Sequence, residues 1–332
     1  MMGVHRTLRV HDSGLLCTIQ DLGRHGLGVS GVSPAGACDW YSARAANRLV
    51  GNADGAGVIE ATMTGAVFDA LAAGHVAVTG ADAELRIRGE ARSTWHAHAF
   101  RAGDRIAIGK ARSGLRSYAA FDGGVRADPV LGSMSTDVGG GFGGRTLERG
   151  DAIELGVSER GDAPRPLLGY PAHAIPSLGS PAALRAMIGP GAGVIGTDGL
   201  AALLQGPYAA SARSSRQAVR LEGEPLRLSG HADVISAGIC AGAVQIAGNG
   251  LPIILLPEHQ TTGGYAIALC VIAADVPRAA QLRPGEAVRF ERVGYAQATE
   301  ALAALLGRLA SLAPQDADRH FASGFFEGAP PA

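Results

Sequence analysis

The sequence of 332 residues has very little lysine, since Lys110 is the only lysine among 29 basic residues and the others are arginine. Lys110 stands in the stretch IAIGKARSG, without the methionine neighbours of a biotin-attachment site. Because no second lysine exists, the rest of the chain cannot hold a covalent biotin, a Schiff base or the lysine of a P-loop. Chemistry that needs one of these groups would depend on another chain.

Cysteine, net charge and long apolar runs are scarce as well. The four cysteines, Cys17, Cys38, Cys240 and Cys270, include no C-x-x-C pair, which argues against a disulfide framework and a cysteine zinc site. A net charge of −1 gives no general attraction for nucleic acid or for an anionic membrane. No stretch approaches the roughly 18 apolar residues of a membrane span, and the first residues lack the apolar core of a signal peptide. We therefore expect a cytoplasmic protein.

The residues that are abundant predict a folded, mainly β protein with a few helices. Hydrophobic residues make up 47% of the chain and charged residues 18%, which favours a sizeable core. The 49 glycines and many short β-like runs indicate strands with tight connections. Three stretches, RAGDRIAI (101–108), ERGDAIEL (148–155) and RPGEAVRF (283–290), each predict a glycine-acid turn that leads into a half-buried strand.

Two segments predict helices. DWYSARAANRLVGN begins with Asp39 as the N-cap, places Ala43, Ala46 and Val50 on one face, and ends at Gly51. AQATEALAALLGRLASLA predicts a docking helix, because one stripe collects five leucines: Leu302, Leu305, Leu306, Leu309 and Leu312.

Five prolines between Pro164 and Pro181 mark the best candidate for a linker. The chain is therefore expected to form an N-terminal domain at 1–175 and a C-terminal domain at 176–313 that includes the terminal helix. Residues 314–332 are expected to be a mobile tail. The alternative for the tail is that HFASGFF forms a small partner-binding element.

Two glycine patterns imitate the G-x-G-x-x-G fingerprint of dinucleotide binding, and the sequence around each argues against a Rossmann fold. GGGFGG (139–144) leads into a turn and a strand rather than a helix, and is better interpreted as a mobile glycine loop. GAGVIG (191–196) precedes a helix but lacks the acidic residue expected about 20 positions later. The second pattern offers at most an anion-binding helix start.

The histidines give only weak indications of a metal site or a catalytic base. His96 and His98 share one face of a predicted strand, but no third metal ligand is recognisable, so a hydrogen-bonded or solvated pair is favoured and no metal site is predicted. His259 has the position of a possible general base, although a loop histidine is more often a hydrogen-bonding neighbour. Neither a G-x-S-x-G elbow nor an H-E-x-x-H motif occurs.

Several polar blocks are stronger candidates for a binding site. The stretch EHQTTGGY lies between the apolar runs PIILL and AIALCVI, and its amide and hydroxyl groups can both donate and accept hydrogen bonds. Acids and an arginine in the early blocks IQDLGRHG, SPAGACDW and IEATMTG can complement them around a small planar polar molecule. The candidates from these blocks are Gln20, Asp21, Arg24, Asp39, Glu60, Gln260, Thr261 and Thr262.

Seven blocks from about Ser13 to Phe290 resemble, in order, the allophanate hydrolase subunit 2 family. They are GLLCTIQDLGRHG, GVSPAGACDWYSARAANRLVGN, IEATMTG, VAVTGAD, STDVGGGFGG, VRLEGEPL and GLPIILLPEHQTTGGYAIALCVI. This family is also described as biotin-dependent carboxyltransferase-like or as the C-type component of 5-oxoprolinase, and it includes the antagonist of a sporulation kinase inhibitor.

The resemblance implies two cyclophilin-like β-barrel domains and adds Arg216 and Tyr265 to the substrate-binding candidates. It also shows departures. SSRQAVRLEG keeps Arg216, but Ser215, Gln217 and Ala218 replace an acid, a methionine and a glycine of the usual pattern. Glu258 and His259 stand where the family has an acid and an arginine.

The function implied by the resemblance is that of a C-type component in an ATP-dependent 5-oxoprolinase complex, which opens 5-oxoproline to glutamate with B-type and A-type partners. One alternative is carboxyl transfer to urea, with carboxybiotin carried by another chain. A third hypothesis, from a different class, is a non-enzymatic antagonist of a histidine-kinase inhibitor. Fold and pocket are shared among these activities, so sequence alone does not separate them.

Overall fold

The computed structural model describes residues 6–157, 168–229 and 233–314, and these residues are mostly β, as the sequence predicts. The strands up to the middle of the chain are β1 Arg6–Asp12, β2 Leu16–Gln20, β3 Val58–Thr62, β4 Val67–Ala70, β5 Gly74–Asp82, β6 Leu85–Ile87, β7 Glu90–Arg92, β8 Ala97–Phe100, β9 Arg105–Ile108, β10 Ser113–Phe121, β11 Val125–Arg126, β12 Ala152–Leu155 and β13 Leu168–Gly169. The later strands are β14 Ala182–Ile188, β15 Tyr208–Ala210, β16 Ala218–Glu222, β17 Asp233–Gly238, β18 Ala243–Ile246, β19 Pro252–Leu255, β20 Thr262–Val271, β21 Ala287–Arg292 and β22 Ala313–Pro314. The helices are α1 Trp40–Leu49, α2 Gly196–Gln205, α3 Val276–Ala280 and α4 Tyr295–Leu309.

The N-terminal part of the chain forms two antiparallel sheets around one core. A seven-stranded sheet has the order β11-β12-β1-β4-β9-β6-β7, and a five-stranded sheet has the order β2-β3-β10-β5-β8. Alternate residues of both sheets point inward, and Phe68 meets Phe121 edge to face with ring centroids 6.2 Å apart. The apolar face of each sheet is thereby removed from water.

The C-terminal part forms a closed barrel. Its strands follow the order β14-β21-β15-β16-β19-β18-β20, and the pairing of β14 with β20 closes the ring. Strand β17 is added at the N-terminal end of β20. Leu184, Val244, Leu269 and Phe290 are buried in the core that this ring encloses. The two sheet systems agree with the predicted mainly β fold of two barrels.

The three glycine-acid stretches form the turns that the sequence predicts. Gly103, Gly150 and Gly285 have φ angles of +88°, +97° and +84°, which favour glycine. In each turn the acid that follows the glycine accepts a backbone N–H at the turn's start: Arg101 to Asp104, Glu148 to Asp151 and Arg283 to Glu286. These turns precede β9, β12 and β21, so the prediction of three similar strand entries is confirmed.

Helix α1 begins where the sequence predicts. The Asp39 carboxylate accepts a hydrogen bond from the Ser42 amide at 2.9 Å, as an N-cap does. The predicted apolar face is buried, with Ala43 and Ala46 in a layer that also contains Tyr41 and Trp95. The helix therefore covers the outer face of the five-stranded sheet, which α1 contacts through β5 and β10.

Helix α4 packs on the N-terminal layer around α1, but its leucine stripe docks only in part: Leu309 is buried, Leu305 and Leu312 are partly buried, and Leu306 is 40% exposed. Leu309 is buried in the same apolar cluster as Tyr41 and Trp95, and its carbonyl accepts hydrogen bonds from Arg48 and Tyr170. Just beyond α4, β22 pairs with β13. The domain boundary at residue 175 stays a prediction, and the tail at 315–332 and linker residues 164–167 lie outside the described residues. No helix in the described ranges is long and apolar enough to span a bilayer.

Candidate functional site

A buried ionic centre joins the two barrels. Arg216, just before β16, is 3% exposed and bonds two carboxylates and a carbonyl. Its Nε lies 2.6 Å from Glu258 Oε2, its Nη2 donates to the Gly36 carbonyl at 2.7 Å, and its Nη1 contacts Glu60 Oε1. The donors of a guanidinium have a fixed planar geometry, so this arrangement sets the positions of segments from both barrels.

Glu60, on β3, is the carboxylate at the middle of this centre. Its Oε2 accepts hydrogen bonds from the Cys38 amide at 3.0 Å and from the Tyr118 hydroxyl at 2.8 Å, while Arg116 Nε lies 3.6 Å from Oε1. Burial alone raises the pKa of Glu60, but Arg216, Arg116 and the two donors outweigh it and hold the pKa below its ordinary value. Glu60 is therefore a stable anion in the protein interior.

Glu258 links the ionic centre to the glycine segment at 139–144. The Gly139 amide donates to Glu258 Oε1, and a side chain at Gly139 would displace the side-chain amide of Gln217. Burial raises the pKa of Glu258, and this effect exceeds the opposing effects of Arg216 and the Gly139 amide. Since Glu60 and Glu258 share Arg216 but have opposite pKa shifts, Glu258 is the carboxylate of the pair that takes up a proton more readily.

Asp39 and Gln281 make a second connection between the barrels. Gln281, after α3, donates to Asp39 Oδ2 at 2.8 Å and to the Arg116 carbonyl at 2.9 Å. Its Oε1 accepts from the amides of Leu115 and Arg116. Burial raises the pKa of Asp39, although Gln281 and Ser42 oppose the shift. Asp39 thus caps α1 and contacts the second barrel at the same time.

Gln20, Asp21 and Arg24 lie in a separate polar centre within the N-terminal barrel. Asp21 Oδ1 accepts from Gly23 and from the hydroxyls of Ser133 and Ser135, at 2.6–2.7 Å, and Oδ2 accepts from Met134 at 2.8 Å. Gln20 donates to Thr18 and to the Thr136 carbonyl. These side chains hold the segment at 133–136 against the end of β2.

Arg24 connects this centre to the same glycine segment. Its Nη2 donates to the Ser135 carbonyl at 2.5 Å, and its guanidinium lies 4.9 Å from the centroid of the Phe142 ring. Any side chain at Gly143 would collide with Arg24 and the Ser135 carbonyl. Residues 139–144 are therefore fixed at one end by Glu258 and at the other by Arg24.

The stretch EHQTTGGY lies at the start of β20, and its polar residues differ in exposure. Gln260 and Thr262 are exposed, Tyr265 is 40% exposed, and Thr261 is half-buried. His259 is buried; its Nδ1 lies 2.6 Å from the Gln260 carbonyl, and burial lowers its pKa below the ordinary value. Gln260 and Thr262 are thus accessible to solvent, whereas His259 is buried.

A cavity of about 760 Å³ lies beside this stretch, between the two barrels and α4. Its walls come from the loop before α1, the loop after β17, the segment before β20 and α4. The lining residues are Leu22, His25, Pro34, Ala35, Ala37, Trp40, Arg44, Ile239, Cys240, Ala241, Pro257, His259, Leu302 and Leu306. The volume and the few polar groups match a small-molecule site.

The structure brings some of the sequence-predicted site residues together and separates others. Glu60 and Arg216 are in direct contact, and Asp39 is joined to them through Tyr118, whose hydroxyl accepts from the Asp39 amide. The remaining candidates form two other groups: Gln20, Asp21 and Arg24 in the first, and Gln260, Thr261, Thr262 and Tyr265 in the second. A substrate-binding role for any of them stays a prediction.

Sequence reasoning missed Arg116, Tyr118 and Gln281 as members of the site. The signal available for them was polarity inside apolar runs, since Arg116 and Tyr118 stand in SGLRSYAAF and Gln281 follows two alanines. The histidine pair behaves as the favoured interpretation predicts, because His96 and His98 contact the carbonyls of Thr94 and Ser93. Across the described ranges, no three His, Cys, Asp or Glu side chains are placed to share a metal ion.

Comparisons with known proteins found matches that cover most of the chain. Residues 30–292 match the family model described as carboxyltransferase domain, subdomain A and B. The chain is 35% identical to the C-type component of the 5-oxoprolinase of Escherichia coli (strain K12) over 297 residues, which is 89% of this chain and 94% of that protein. It is also 29% identical to the urea amidolyase of Saccharomyces cerevisiae over 85% of this chain but only 16% of that protein.

A solved structure has the same fold over most of this chain. The crystal structure of the K. lactis urea amidolyase superposes with a TM-score of 0.85 at 25% identity, covering 91% of this chain. The matched region is only 20% of that larger protein. The chain thus spans nearly all of a free-standing 5-oxoprolinase component and about a fifth of the urea-processing enzyme.

Proposed function

This chain belongs to the carboxyltransferase domain, subdomain A and B family, and from that membership we propose that it is the C-type component of an ATP-dependent 5-oxoprolinase complex. The observation that carries the proposal is the likeness to the C-type component of the Escherichia coli 5-oxoprolinase, which extends over nearly the whole of both chains. The reaction opens the lactam of 5-oxoproline: water adds to the carbonyl carbon, the C–N bond breaks, and the nitrogen takes up a proton to give glutamate.

The groups of this chain that can recognise such a substrate lie at the start of β20. Gln260, Thr262 and Tyr265 are exposed and Thr261 is half-buried, and the stretch adjoins the 760 Å³ cavity through Pro257 and His259. A lactam offers one N–H donor and one carbonyl acceptor in a plane, and side chains that both donate and accept suit both. In this proposal, the Gln-Thr-Thr run orients the planar amide.

The ionic centre has a different role in the proposed reaction. Arg216 and Glu60 are buried and bonded to groups within the chain, so we assign them the role of positioning the walls of the site. Their rigid geometry keeps the loop before α1, the glycine segment and the segment before β20 in register. This is the positioning function that the Arg216 and Asp39 contacts serve across the two barrels.

ATP and the remaining catalytic groups are assigned to partner chains. The sequence has no P-loop, and its single lysine, Lys110, is exposed after β9, so the residues present do not fit a phosphate-binding site of that type. ATP supplies the free energy for ring opening when it is bound in the complex. We therefore assign a B-type and an A-type component as the partners of this chain.

The test of the proposal is reconstitution. The purified chain is mixed with B-type and A-type components, ATP and 5-oxoproline, and glutamate is measured over time. We expect glutamate only when all three chains and ATP are present, with omission of this chain as the control. A well-folded complex that forms no glutamate would contradict the proposal.

The structural likeness to urea amidolyase favours one second candidate, carboxyl transfer. In that reaction the bond between the carboxyl group and the ring nitrogen of carboxybiotin, held on another chain, breaks as the carboxyl group bonds to a urea nitrogen. The proton lost by the urea nitrogen ends on the biotin ring nitrogen. The same preparation, given carboxybiotin and urea in place of ATP and 5-oxoproline, separates the candidates. Carboxylated urea without glutamate formation would favour the second one.

A further inference from the structure

We propose that Gln245, a buried residue of β18, is a ligand-binding residue whose side-chain amide donates to an oxygen atom of a small planar amide or carboxylate at the start of β20. The proposal rests on the proposed function, because it adds a recognition group for the same class of substrate. Gln245 lies in none of the sequence blocks that predicted a site.

The first observation is the environment of the amide. Val244 and Ile246 point into the barrel core, so Gln245 points to the opposite face of the sheet, between Ile253 on β19 and Ile267 on β20. It is 1% exposed, and its Nε2 has no hydrogen-bond acceptor among the described residues. A buried amide without an acceptor destabilises the fold, which calls for a reason to keep it.

Gln281 shows what a structural glutamine looks like in the same protein. It has the same 1% exposure, yet its amide nitrogen makes two hydrogen bonds and its oxygen accepts two more. Gln281 therefore holds the two barrels together. Gln245 is equally buried, but its Nε2 has no acceptor among the described residues, so its amide lacks the contacts that explain Gln281.

The second observation is Gly263, which faces Gln245 from β20. A methyl group on Gly263 would lie only 2.7 Å from Gln245 Nε2 and 3.6 Å from Gln260 Nε2. Gly263 is not among the residues with positive φ, so backbone conformation does not require glycine here. A side chain at this position would displace the Gln245 amide, so the glycine leaves room for that amide where it now lies.

Two side-chain amides thus approach one point over Gly263: that of Gln245 from the outer face of β18, and that of Gln260 from the exposed segment before β20. Ile239 closes a third side, with its Cδ1 3.4 Å from the same point, and it also lines the 760 Å³ cavity. The Ile239 amide donates to the Thr261 carbonyl at 3.1 Å, which fixes this wall to the Gln-Thr-Thr run. The two amides are close enough for one small ligand to reach both.

The donors define the chemistry of the ligand. Both nitrogens are neutral NH₂ groups, so they bind an acceptor oxygen and cannot neutralise a charge. A lactam carbonyl, a urea carbonyl and a carboxylate oxygen all satisfy this requirement. Thr261, two residues before Gly263, carries the hydroxyl of the Gln-Thr-Thr run that can accept the N–H of the same ligand.

The test uses Gln245→Met, which keeps the length of the side chain and removes the amide. Melting temperature and dissociation constants are measured for 5-oxoproline, 2-pyrrolidinone and urea, which share a carbonyl but differ in charge and ring. We expect the variant to melt at the same temperature as the wild type or higher, since an unsatisfied polar group is removed. We expect its affinity for the bound probe to fall about tenfold.

The matched control is Gln281→Met, which should lower the melting temperature because it removes hydrogen bonds from Asp39 and from backbone groups of Leu115 and Arg116. If Gln245→Met lowers the melting temperature equally and leaves probe affinity intact, Gln245 is structural and the inference is overturned. Unchanged affinity at normal stability, or a wild-type chain that binds none of the three probes, also overturns it.

The outcomes separate this inference from the proposed function. If a probe binds through Gln245 but the reconstituted complex makes no glutamate, the ligand site stands and the proposed function fails. If the complex makes glutamate at an unchanged rate and KM with Gln245→Met, the proposed function stands and the ligand site fails.

Discussion

Asp21 and Glu60 are two partly or wholly buried carboxylates in one barrel, and they are stabilised in different ways. Asp21 is held by neutral donors, two serine hydroxyls and two backbone amides from segments of the N-terminal barrel. Glu60 is held mainly by arginines, and Arg216 comes from the other barrel. The first carboxylate organises a loop, and the second joins two folding units.

The difference has an energetic consequence. A carboxylate bonded to neutral donors loses one hydrogen bond at a time when a partner is removed. A buried ion pair leaves a full charge without compensation when either partner is lost, and this is far more costly. The stability of the protein should therefore be much more sensitive to substitution of Glu60 or Arg216 than to substitution of Asp21.

The largest effect is expected at Arg216. Arg216→Met leaves Glu60 and Glu258 buried without their shared cation, and loss of one partner of a buried pair typically costs about 3–5 kcal/mol. Urea denaturation should show this loss in the free energy of unfolding. The double variant Arg216→Met with Glu60→Gln is the control: it should recover part of the loss, and an equal or larger loss in the double variant would contradict the ionic account.

A smaller effect is expected when the neutral link between the barrels is removed. Gln281→Met takes hydrogen bonds from Asp39 and from backbone groups of Leu115 and Arg116, and unsatisfied groups of this kind cost about 1–3 kcal/mol each. We expect a total loss of about 3 kcal/mol, measured by the same denaturation. Wild-type stability in this variant would show that the contacts contribute nothing.

Replacing Asp21, in the polar centre of the N-terminal barrel, should lower the stability less than these changes, and by an amount that depends on pH. Asp21→Asn places an NH₂ group among donors, for an expected loss of about 2 kcal/mol at neutral pH. Burial raises the pKa of Asp21, but Ser133, Ser135 and two backbone amides lower it further, to below the ordinary value of 3.8. Since the folded pKa is below the unfolded one, the stabilisation is complete above about pH 4 and is lost as pH falls through the folded pKa.

The measurement is the difference in unfolding free energy between wild type and Asp21→Asn as a function of pH. It should be constant near neutrality and shrink in the acid range. A difference that grows on acidification would mean that Asp21 is not held as an anion.

The smallest effect on stability is expected at Thr262, which is exposed and belongs to neither centre. Thr262→Val should leave the melting temperature near that of the wild type. Loss of one neutral hydrogen bond, about 0.5–1.5 kcal/mol, corresponds to a several-fold lower affinity for 5-oxoproline. A clear drop in melting temperature with intact affinity would instead identify the run as a structural turn.

Local features of the fold were predictable from the sequence because their causes are local. Asp39 as the cap of α1 and the three glycine-acid turns depend on residues within a few positions of each other, which short motifs encode. The leucine stripe predicted that α4 docks, but not that it docks on α1, since a stripe specifies an apolar face and not its partner.

The site was predictable only in part, because its contacts are distant in sequence. Glu60 and Arg216 were both candidates, but nothing in the residues between them indicates that the two side chains touch. Arg116 and Gln281 escaped prediction because a polar residue in an apolar run is equally compatible with an exposed strand position. Gln245 escaped for the same reason, and its role depends on Gly263 in a neighbouring strand.

The packing of α4 on α1 bears on how the chain matures during synthesis. The apolar layer around Tyr41 and Trp95 is covered by Leu309, which leaves the ribosome only after every strand of the closed barrel. Until then the N-terminal barrel exposes part of that layer, a state in which nascent chains attract chaperones or aggregate. Because the chain is translated from its N-terminus, the N-terminal barrel cannot be fully packed until the C-terminal barrel and α4 have been synthesised.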